Sequence, residues 1–321
     1  MSNIITPNFE NIVDSYNRII KYSHNTPVLT SKSINNFLNT NIFFKCENFQ
    51  KVGAFKFRGA INSILSLSKA ELQKGVATHS SGNHAAALAL SAKIVNTKAY
   101  IVMPQNAPEI KKQAVKSYGA IITYCEPTLD ARETNLNKIV KETGATFIHP
   151  YNNFNVISGQ GTAAYELINK IPDIDIVMAP VGGGGLLSGT AIAAKGLNKN
   201  IKVFGAEPKN ADDAFQSFTH KKLIPSDNPI TIADGLLTSL GTMTFKIICK
   251  DVEKIITVQE ETIIKAMRLI WERMKIIIEP SSAVPLAAIM ENENLFRNKK
   301  IGIILTGGNV DLSSLYYFKK S

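Results

Sequence analysis

The sequence is poor in cysteine and has no long uncharged hydrophobic run, and each shortage excludes a class of protein. Its three cysteines, Cys46, Cys125 and Cys249, lie far apart and form no Cys-x-x-Cys pair. They indicate reduced thiols in a cytoplasmic protein, not a disulfide framework. No segment approaches the roughly 20 apolar residues of a membrane span, and the N-terminus lacks a signal-peptide pattern. We therefore expect a cytoplasmic protein with no membrane partner.

The signatures of the common nucleotide, zinc and nucleic-acid sites are missing as well. No Gly-Lys-Ser/Thr follows the glycine-rich segment, its spacing does not match Gly-x-Gly-x-x-Gly, and the five histidines show no zinc spacing. The formal net charge is +10, but the basic residues are scattered in pairs such as Lys111-Lys112. This pattern favours a solvated surface over a nucleic-acid partner, although a positive field would attract anionic cofactors and carboxylate substrates.

Strand-like apolar runs alternate with helical patterns along the chain, which is typical of an α/β protein with parallel strands. With 321 residues, 45% of them hydrophobic, the chain is long enough for two domains. The expected strands are 42–45, 75–79, 99–103, 121–124, 146–149, 176–180, 202–207 and 301–306. The expected helices are 83–94, 108–118, 130–143, 159–171, 186–196 and 262–275.

Small and polar residues follow three of the expected strands, at residues 80–84, 181–186 and 306–309. In open α/β sheets, ligands bind at the carboxyl ends of the strands. The three junctions therefore predict one cleft that is assembled from distant parts of the chain.

Lys56 lies between two aromatic residues in the segment Gly-Ala-Phe-Lys-Phe-Arg-Gly-Ala, residues 53–60. A lysine that is desolvated among aromatic side chains loses its proton more easily and can act as a nucleophilic amine. Such an amine is what a Schiff base requires. The alternative is an ordinary surface lysine, and the segment alone does not decide between them.

The three junctions offer polar groups suited to an anionic ligand. Four glycines, Gly182 to Gly185, precede a predicted helix and would form an anion nest for phosphate; the alternative is a flexible turn. Ser80 to His84 offers hydroxyl and amide donors for a carboxylate, or simply caps a helix. Thr306 could hydrogen-bond an aromatic nitrogen without protonating it, or belong to an ordinary turn.

Acidic residues cluster in the segment 207–213, Glu-Pro-Lys-Asn-Ala-Asp-Asp. Two carboxylates with a backbone carbonyl between them would suit a hard divalent cation, Mg²⁺ or Ca²⁺. The alternative is a set of acidic residues at a helix start.

These segments occur together in an order that resembles the fold-type II pyridoxal-phosphate (PLP) enzymes, within them the serine racemase and serine/threonine dehydratase group. The resemblance rests on the lysine segment, Ser-Ser-Gly-Asn-His, Gly-Gly-Gly-Gly-Leu and Thr-Gly-Gly-Asn, and it runs nearly from end to end. It implies two open, twisted, mostly parallel α/β domains of the tryptophan synthase β type, with the cofactor in the cleft between them. Residues 1–74 and 151–321 would form the larger domain and 75–150 a smaller domain that closes over the substrate.

The resemblance also implies the role of each site residue. Lys56 would carry the internal aldimine and then act as the base on the substrate's Cα–H. Ser81 would be the acid/base group on the opposite face of Cα. The other implied cofactor contacts are Phe55, Asn83, Gly182, Gly183, Gly184, Gly185, Leu186 and Thr306. The implied contacts to the substrate are Ser80, Ser81, His84, Arg132 and Ser239. The implied ligands of the divalent cation (Mg²⁺, Ca²⁺ or Mn²⁺) are Glu207, Asp213 and the carbonyl of Ala211.

The implied activity is the deamination of L-serine or L-threonine to the 2-oxo acid and ammonia, with serine racemisation as a companion activity. The resemblance also implies a homodimer. A 3-hydroxyaspartate dehydratase is the alternative substrate assignment, and a non-catalytic amino-acid sensor on the same fold is the alternative of another class. A sulfhydrylase fits the acidic segment less well. Ala86 and Tyr151 depart from the animal serine racemases, so ATP activation is not expected. The chain ends soon after residue 309, so no C-terminal regulatory domain is expected.

Overall fold

The computed structural model describes residues 4–80, 82–107 and 109–310. The strands in these residues are β1 (Val28–Leu29), β2 (Asn41–Cys46), β3 (Val76–His79), β4 (Ala99–Pro104), β5 (Ile121–Cys125), β6 (Thr146–Phe147), β7 (Ile176–Pro180), β8 (Lys202–Pro208), β9 (Lys254–Val258) and β10 (Lys300–Leu305).

Helices connect most of the strands, as the alternating pattern predicts. They are α1 (Phe9–Ile19), α2 (Lys32–Leu38), α3 (Lys56–Leu65), α4 (Lys69–Lys74), α5 (Asn83–Val95), α6 (Glu109–Ser117), α7 (Leu129–Thr143), α8 (Phe154–Lys170), α9 (Gly185–Leu197), α10 (Asp213–His220), α11 (Thr242–Asp251), α12 (Glu260–Met274), α13 (Pro280–Glu291) and α14 (Glu293–Phe296). Short 3₁₀ turns lie at Glu47–Phe49, Lys51–Gly53, Lys209–Ala211 and Asp234–Leu236. Among the helices of the described ranges, none is long and apolar enough to cross a membrane.

The strands form two sheets. The larger has six strands in the order β1-β2-β10-β7-β8-β9, with β1 antiparallel to β2 and every other pair parallel. The smaller has four parallel strands in the order β5-β4-β3-β6. The α/β fold class predicted from the alternating pattern is confirmed. Because neighbouring strands are parallel, their carboxyl ends meet at one edge of each sheet, where the polar junctions follow.

The eight predicted strands are all present, but some boundaries differ. β6 is only two residues long, and α8 begins at Phe154, five residues before the predicted start. The earlier start follows from the side chain of Asn153, which accepts a hydrogen bond from Val156 N–H and caps the helix. The pattern did not predict β1 and β9 or several helices, among them α13, which is buried along almost its whole length and therefore lacks a helical periodicity.

Three helices cross at glycines, with their backbones almost in contact. A Cβ built at Gly159 of α8 would lie 2.7 Å from the carbonyl oxygen of Arg58 in α3. A Cβ at Gly189 of α9 would lie 2.5 Å from the carbonyl oxygen of Ile157 in α8. No side chain fits at either crossing. Because α3 begins at Lys56 and α9 begins in the glycine segment, these crossings join two parts of the predicted site.

Candidate active site

Lys56 is the first residue of α3, and neighbouring segments enclose its amine. Nζ donates a hydrogen bond to the carbonyl oxygen of Pro150 at 3.1 Å and lies 5.1 Å from the centroid of the Phe55 ring. Burial lowers the pKa of Lys56 to about 8, although the negative charge of Glu279 acts in the opposite direction. At neutral pH the amine is therefore neutral more often than that of an ordinary lysine, which favours nucleophilic attack.

Thr306 lies beside this lysine segment, although 250 residues separate them in sequence. The N–H of Phe55 donates to the carbonyl oxygen of Thr306 at 2.9 Å, and Ala54 pairs with Gly307 in an isolated bridge. The buried hydroxyl of Thr306 lies 2.9 Å from the hydroxyl of Ser282. The site thus presents a hydroxyl at this position, and a hydroxyl does not protonate a pyridine nitrogen as an aspartate does.

The glycine segment leads from β7 into α9, as predicted, but packing explains its glycines better than ligand approach does. Gly184 has a φ of +84°, a conformation that side chains disfavour. A Cβ at Gly183 would overlap the ring of Tyr151, and one at Gly182 would lie 3.0 Å from the Cα of Leu236. Protein atoms therefore fill the Cβ side of the segment. The first N–H groups of α9 have no carbonyl one turn earlier, so this helix start can hold an anion.

Asn83, the first residue of α5, links the small sheet to the end of the described chain. Its Nδ2 donates to both carboxylate oxygens of Glu279 at 3.0 and 3.1 Å, and its Oδ1 accepts from Asn309 Nδ2 at 2.9 Å. These bonds fix the orientation of the amide. Burial, together with the negative charge of Asp234, raises the pKa of Glu279 to about 7. Glu279, which no sequence motif indicated, is almost fully buried beside Asn83.

The predicted substrate segment lies between β3 and α5. Ser81 lies outside the described residues, and the Oγ of Ser80 accepts a long hydrogen bond of 3.4 Å from Gly82 N–H. The side chain of His84 is buried, with Nε2 3.2 Å from the carbonyl oxygen of Ile148, and burial lowers its pKa to about 3. This ring is therefore neutral. Because Nε2 donates to that carbonyl, Nδ1, unpartnered within the residues that the structure describes, carries no proton, and only the backbone N–H of His84, in the first turn of α5, can donate to an anionic substrate.

The other two predicted substrate contacts lie on separate segments. Arg132 is in α7, where Nε donates to the carbonyl oxygen of Thr128 at 3.2 Å. Burial is the main cause of the lowered pKa of His79, at the end of β3, and the positive charge of Arg132 lowers that pKa further. Arg132 is therefore close to the strand that precedes Ser80. The Oγ of Ser239 accepts a hydrogen bond from the backbone N–H of Ser226 at 2.7 Å.

The predicted metal ligands come together at the end of β8. Glu207 and Asp213 are buried, and three of their four carboxylate oxygens have no hydrogen-bond partner among the described residues. The fourth, Glu207 Oε1, accepts from the N–H of Phe215. Burial raises the pKa of Asp213 to about 7 and that of Glu207 well above its usual value. In the described part of the chain no three His, Cys, Asp or Glu residues form a metal cluster. The orphaned oxygens nevertheless fit a hard cation completed by carbonyls and water.

A buried ion network surrounds Arg58, two residues after Lys56 in α3; we call it the network behind Lys56. The guanidinium of Arg58 binds Glu47 through Nε at 2.7 Å and Glu166 through Nη1 at 2.7 Å, with Nη2 contacting both carboxylates. Glu166 also pairs with the buried ammonium of Lys45 at 2.6 Å. In the sequence Arg58 stands out only as part of the lysine segment. The network ties the first turn of α3 to α8 and to the residues after β2.

A second ion pair joins the small-sheet side of the chain to the large-sheet side, across the predicted cleft. Lys111 lies in α6, beside the small sheet, and Asp234 begins the 3₁₀ turn Asp234–Leu236, beside the large sheet. Lys111 Nζ donates a hydrogen bond to Asp234 Oδ2 at 2.5 Å. The pairing could not be predicted from the sequence, because 123 positions separate the two residues.

Comparisons with known proteins identify the same family as the sequence motifs. A family described as pyridoxal-phosphate dependent enzyme matches residues 19–307. The chain is 51% identical over 322 residues to serine racemase from Dictyostelium discoideum, covering 98% of each chain. It is 46% identical to β-hydroxyaspartate dehydratase from Paracoccus denitrificans (strain Pd 1222), covering 96% of this chain and 98% of the relative.

A solved structure agrees with the sequence relatives. Threonine deaminase from T.th. superposes with a TM-score of 0.91 and 39% identity, covering 95% of this chain and 99% of that one. The fold-type II architecture and the enzymatic nature of the chain, both expected from the motifs, are confirmed. The chain belongs to the family of pyridoxal-phosphate-dependent enzymes.

Proposed function

We propose that this chain catalyses the PLP-dependent dehydration of L-serine or L-threonine to the 2-oxo acid and ammonia, with serine racemisation as a companion reaction. The observation that carries the proposal is the enclosed amine of Lys56, with a pKa of about 8, beside a hydroxyl at Thr306. The similarity to a serine racemase and a threonine deaminase supports the same chemistry.

The residues present fit PLP. Lys56 would bind its aldehyde carbon, the first turn of α9 after Gly182–Gly185 with Leu186 would hold its phosphate, and Phe55 would pack against its ring. Thr306 would face the ring nitrogen, and Asn83 would face the phenolic oxygen. When bound, PLP supplies a ring that withdraws electrons from the Cα of a covalently held amino acid. With a hydroxyl at residue 306 this withdrawal would be weak, which suits β-elimination because the electron pair left at Cα would form the Cα–Cβ double bond as hydroxide leaves with the Cβ–O pair.

The chain's own groups would supply binding and proton transfer. The amine of Lys56 accepts the Cα proton, and its pKa of about 8 matches that task at physiological pH. The backbone N–H groups at the start of α5, with Arg132, would hold the substrate carboxylate. Movement of residues 75–150 toward the larger domain would exclude water during the reaction.

Racemisation needs a second acid/base group on the opposite face of Cα, and we assign it to Ser81. A Ser81→Ala variant should lose serine racemisation while it retains most β-elimination. Equal loss of both activities, or retention of racemisation, would contradict the two-base assignment. Chiral chromatography of serine and a coupled assay of pyruvate separate the two reactions.

We also propose a bound divalent cation at Glu207, Asp213 and the Ala211 carbonyl, a homodimeric assembly and a cytoplasmic location. The orphaned carboxylate oxygens support the cation. Light scattering of the purified protein tests the dimer, and isothermal calorimetry with Mg²⁺, Ca²⁺ and Mn²⁺ tests the cation.

The second candidate substrate is 3-hydroxyaspartate, which the similarity to β-hydroxyaspartate dehydratase favours. The decisive experiment is side-by-side kcat/KM for L-serine, L-threonine and L-threo-3-hydroxyaspartate with the PLP-loaded enzyme. Turnover of at least one substrate, lost in Lys56→Ala, is the expected result. A protein that binds PLP but acts on none of them would refute the proposed function.

A further inference from the structure

The ion pair between Lys111 and Asp234 connects the two sides of the predicted substrate cleft. A Cβ built at Gly82 would have Lys111 Nζ 3.8 Å away, so the ammonium lies against the substrate segment. On the opposite side, the N–H of Gly235, next to Asp234, donates to the hydroxyl of Ser281 at 3.1 Å. Asp234 is thus held at the start of α13, close to the buried Glu279.

The electrostatics place the same two charges in the site. Burial is the main cause of the raised pKa of Glu279. The negative charge of Asp234 raises this pKa further, and the positive charge of Lys111 lowers it. Since Glu279 binds Asn83 directly, Lys111 acts on the part of the cleft where the reacting groups gather. It is also a cation that the proposed mechanism does not use.

The pair is poorly shielded from water. The side chain of Lys111 is 23% exposed and that of Asp234 is 51% exposed. An ion pair this exposed contributes little net stability, because water solvates both charges when they separate. A competing carboxylate can therefore replace Asp234 at low cost, and the ammonium offers three donors to receive it.

We propose that Lys111 is a specificity-determining residue, which binds the side-chain carboxylate of an acidic β-hydroxy amino acid in exchange for Asp234. The inference rests on the proposed function and names a substrate class for it. Serine and threonine carry no second carboxylate, so they leave the pair intact. Without Lys111, Asp234 would repel a dicarboxylate at the cleft.

The two charges should therefore affect selectivity in opposite directions. Lys111→Met should lower kcat/KM for L-threo-3-hydroxyaspartate by about tenfold or more, the effect of one lost charged hydrogen bond, and change that for L-serine less than about threefold. Asp234→Asn should raise the preference for the acidic substrate, because Lys111 then has no competing carboxylate. Lys112→Met is the matched control, since Lys112 Nζ binds the carbonyl oxygen of Gln105.

An equilibrium measurement separates binding from turnover. L-aspartate and L-alanine, which lack the β-hydroxyl, can be titrated into the holoenzyme and followed by the visible absorbance of the cofactor. Lys111→Met should weaken the binding of L-aspartate about tenfold or more and leave that of L-alanine unchanged. Equal binding of L-aspartate by the wild type and by the variant would overturn the inference.

The outcomes also distinguish this inference from the proposed function. If Lys111→Met lowers the activity toward serine and 3-hydroxyaspartate equally, the pair serves only to hold the cleft closed, and the specificity role is wrong. If the wild type turns over none of the three substrates, the proposed function fails. The aspartate and alanine titrations still test Lys111 in that case.

Discussion

Removing the charge of Arg58 should destabilise the protein more than any surface substitution. The guanidinium is fully buried and makes four charged hydrogen bonds, of 2.7 to 2.9 Å, to Glu47 and Glu166. In Arg58→Met the carboxylate of Glu47 stays buried, and within the described residues the hydroxyl of Thr26 is its only remaining side-chain hydrogen-bond donor. Breaking a buried pair in this way costs about 3–5 kcal/mol, because one charge is left uncompensated.

The corresponding shift in melting temperature follows from the size of the chain. For 321 residues the entropy of unfolding is about 0.7 kcal/mol/K, so a loss of about 4 kcal/mol lowers Tm by roughly 6 °C. Differential scanning calorimetry of the apoenzyme measures this shift without the contribution of PLP. The double variant Glu47→Gln/Arg58→Met should be more stable than Arg58→Met alone, because it removes the uncompensated charge.

Lys300→Met provides the matched control. Lys300 pairs with Asp173 on the surface, where both side chains are about half exposed. Losing this pair should cost about 1 kcal/mol or less. If Arg58→Met were no more costly than Lys300→Met, the network behind Lys56 would not hold α3 in place and the reasoning would be refuted.

Four further predictions follow from the site. The rate at which the apoenzyme reacts with PLP should rise with pH and level off above about 8, where Lys56 has lost its proton; a roughly tenfold rise per pH unit continuing to about pH 9.5 would contradict the lowered pKa. The same shift has a stability consequence: the unfolded chain binds more protons between about pH 8 and 10.5, so the apoenzyme should gain stability relative to Lys56→Met as the pH rises through that window. EDTA should lower Tm and excess Mg²⁺ should restore it, whereas Asp213→Asn should respond to neither; equal responses in both proteins would exclude the cation site. Gly183→Ala should cost about 1–3 kcal/mol because its Cβ overlaps the Tyr151 ring, and Tyr151→Ala should recover part of that loss.

Much of the fold, and the segments that we propose for the site, could be predicted from local sequence patterns. The strand of Val-Met-Ala before the glycines, and the lysine between two phenylalanines, are contiguous signals. Helix α13 was not predicted because it is buried on every side, and Pro285 inside it argues against a helix by local rules. Its N-cap residue Glu279 was missed for the same reason.

The contacts that complete the site lie between residues far apart in the chain. Asn83 and Glu279 are 196 positions apart, and Arg58 and Glu166 are 108 apart. No periodicity or spacing in a single sequence encodes such a pair, since each partner alone is an ordinary polar residue. The glycines show the same limit: four in a row indicated a ligand, yet only the three-dimensional packing identifies Tyr151 as the reason for Gly183.

The glycine crossings of α3, α8 and α9 fix the distance between the N-termini of α3 and α9. The span from the amine of Lys56 to the helix start that we propose for the phosphate depends on two backbone-to-backbone contacts, not on the length of any side chain. One additional methyl group at Gly159, outside the proposed ligand contacts, would push α3 outward. The amine of Lys56 would then change position, as it would if the lysine side chain were longer or shorter. Tolerance to substitution should therefore be lower at these buried crossings than at many residues that line the cleft.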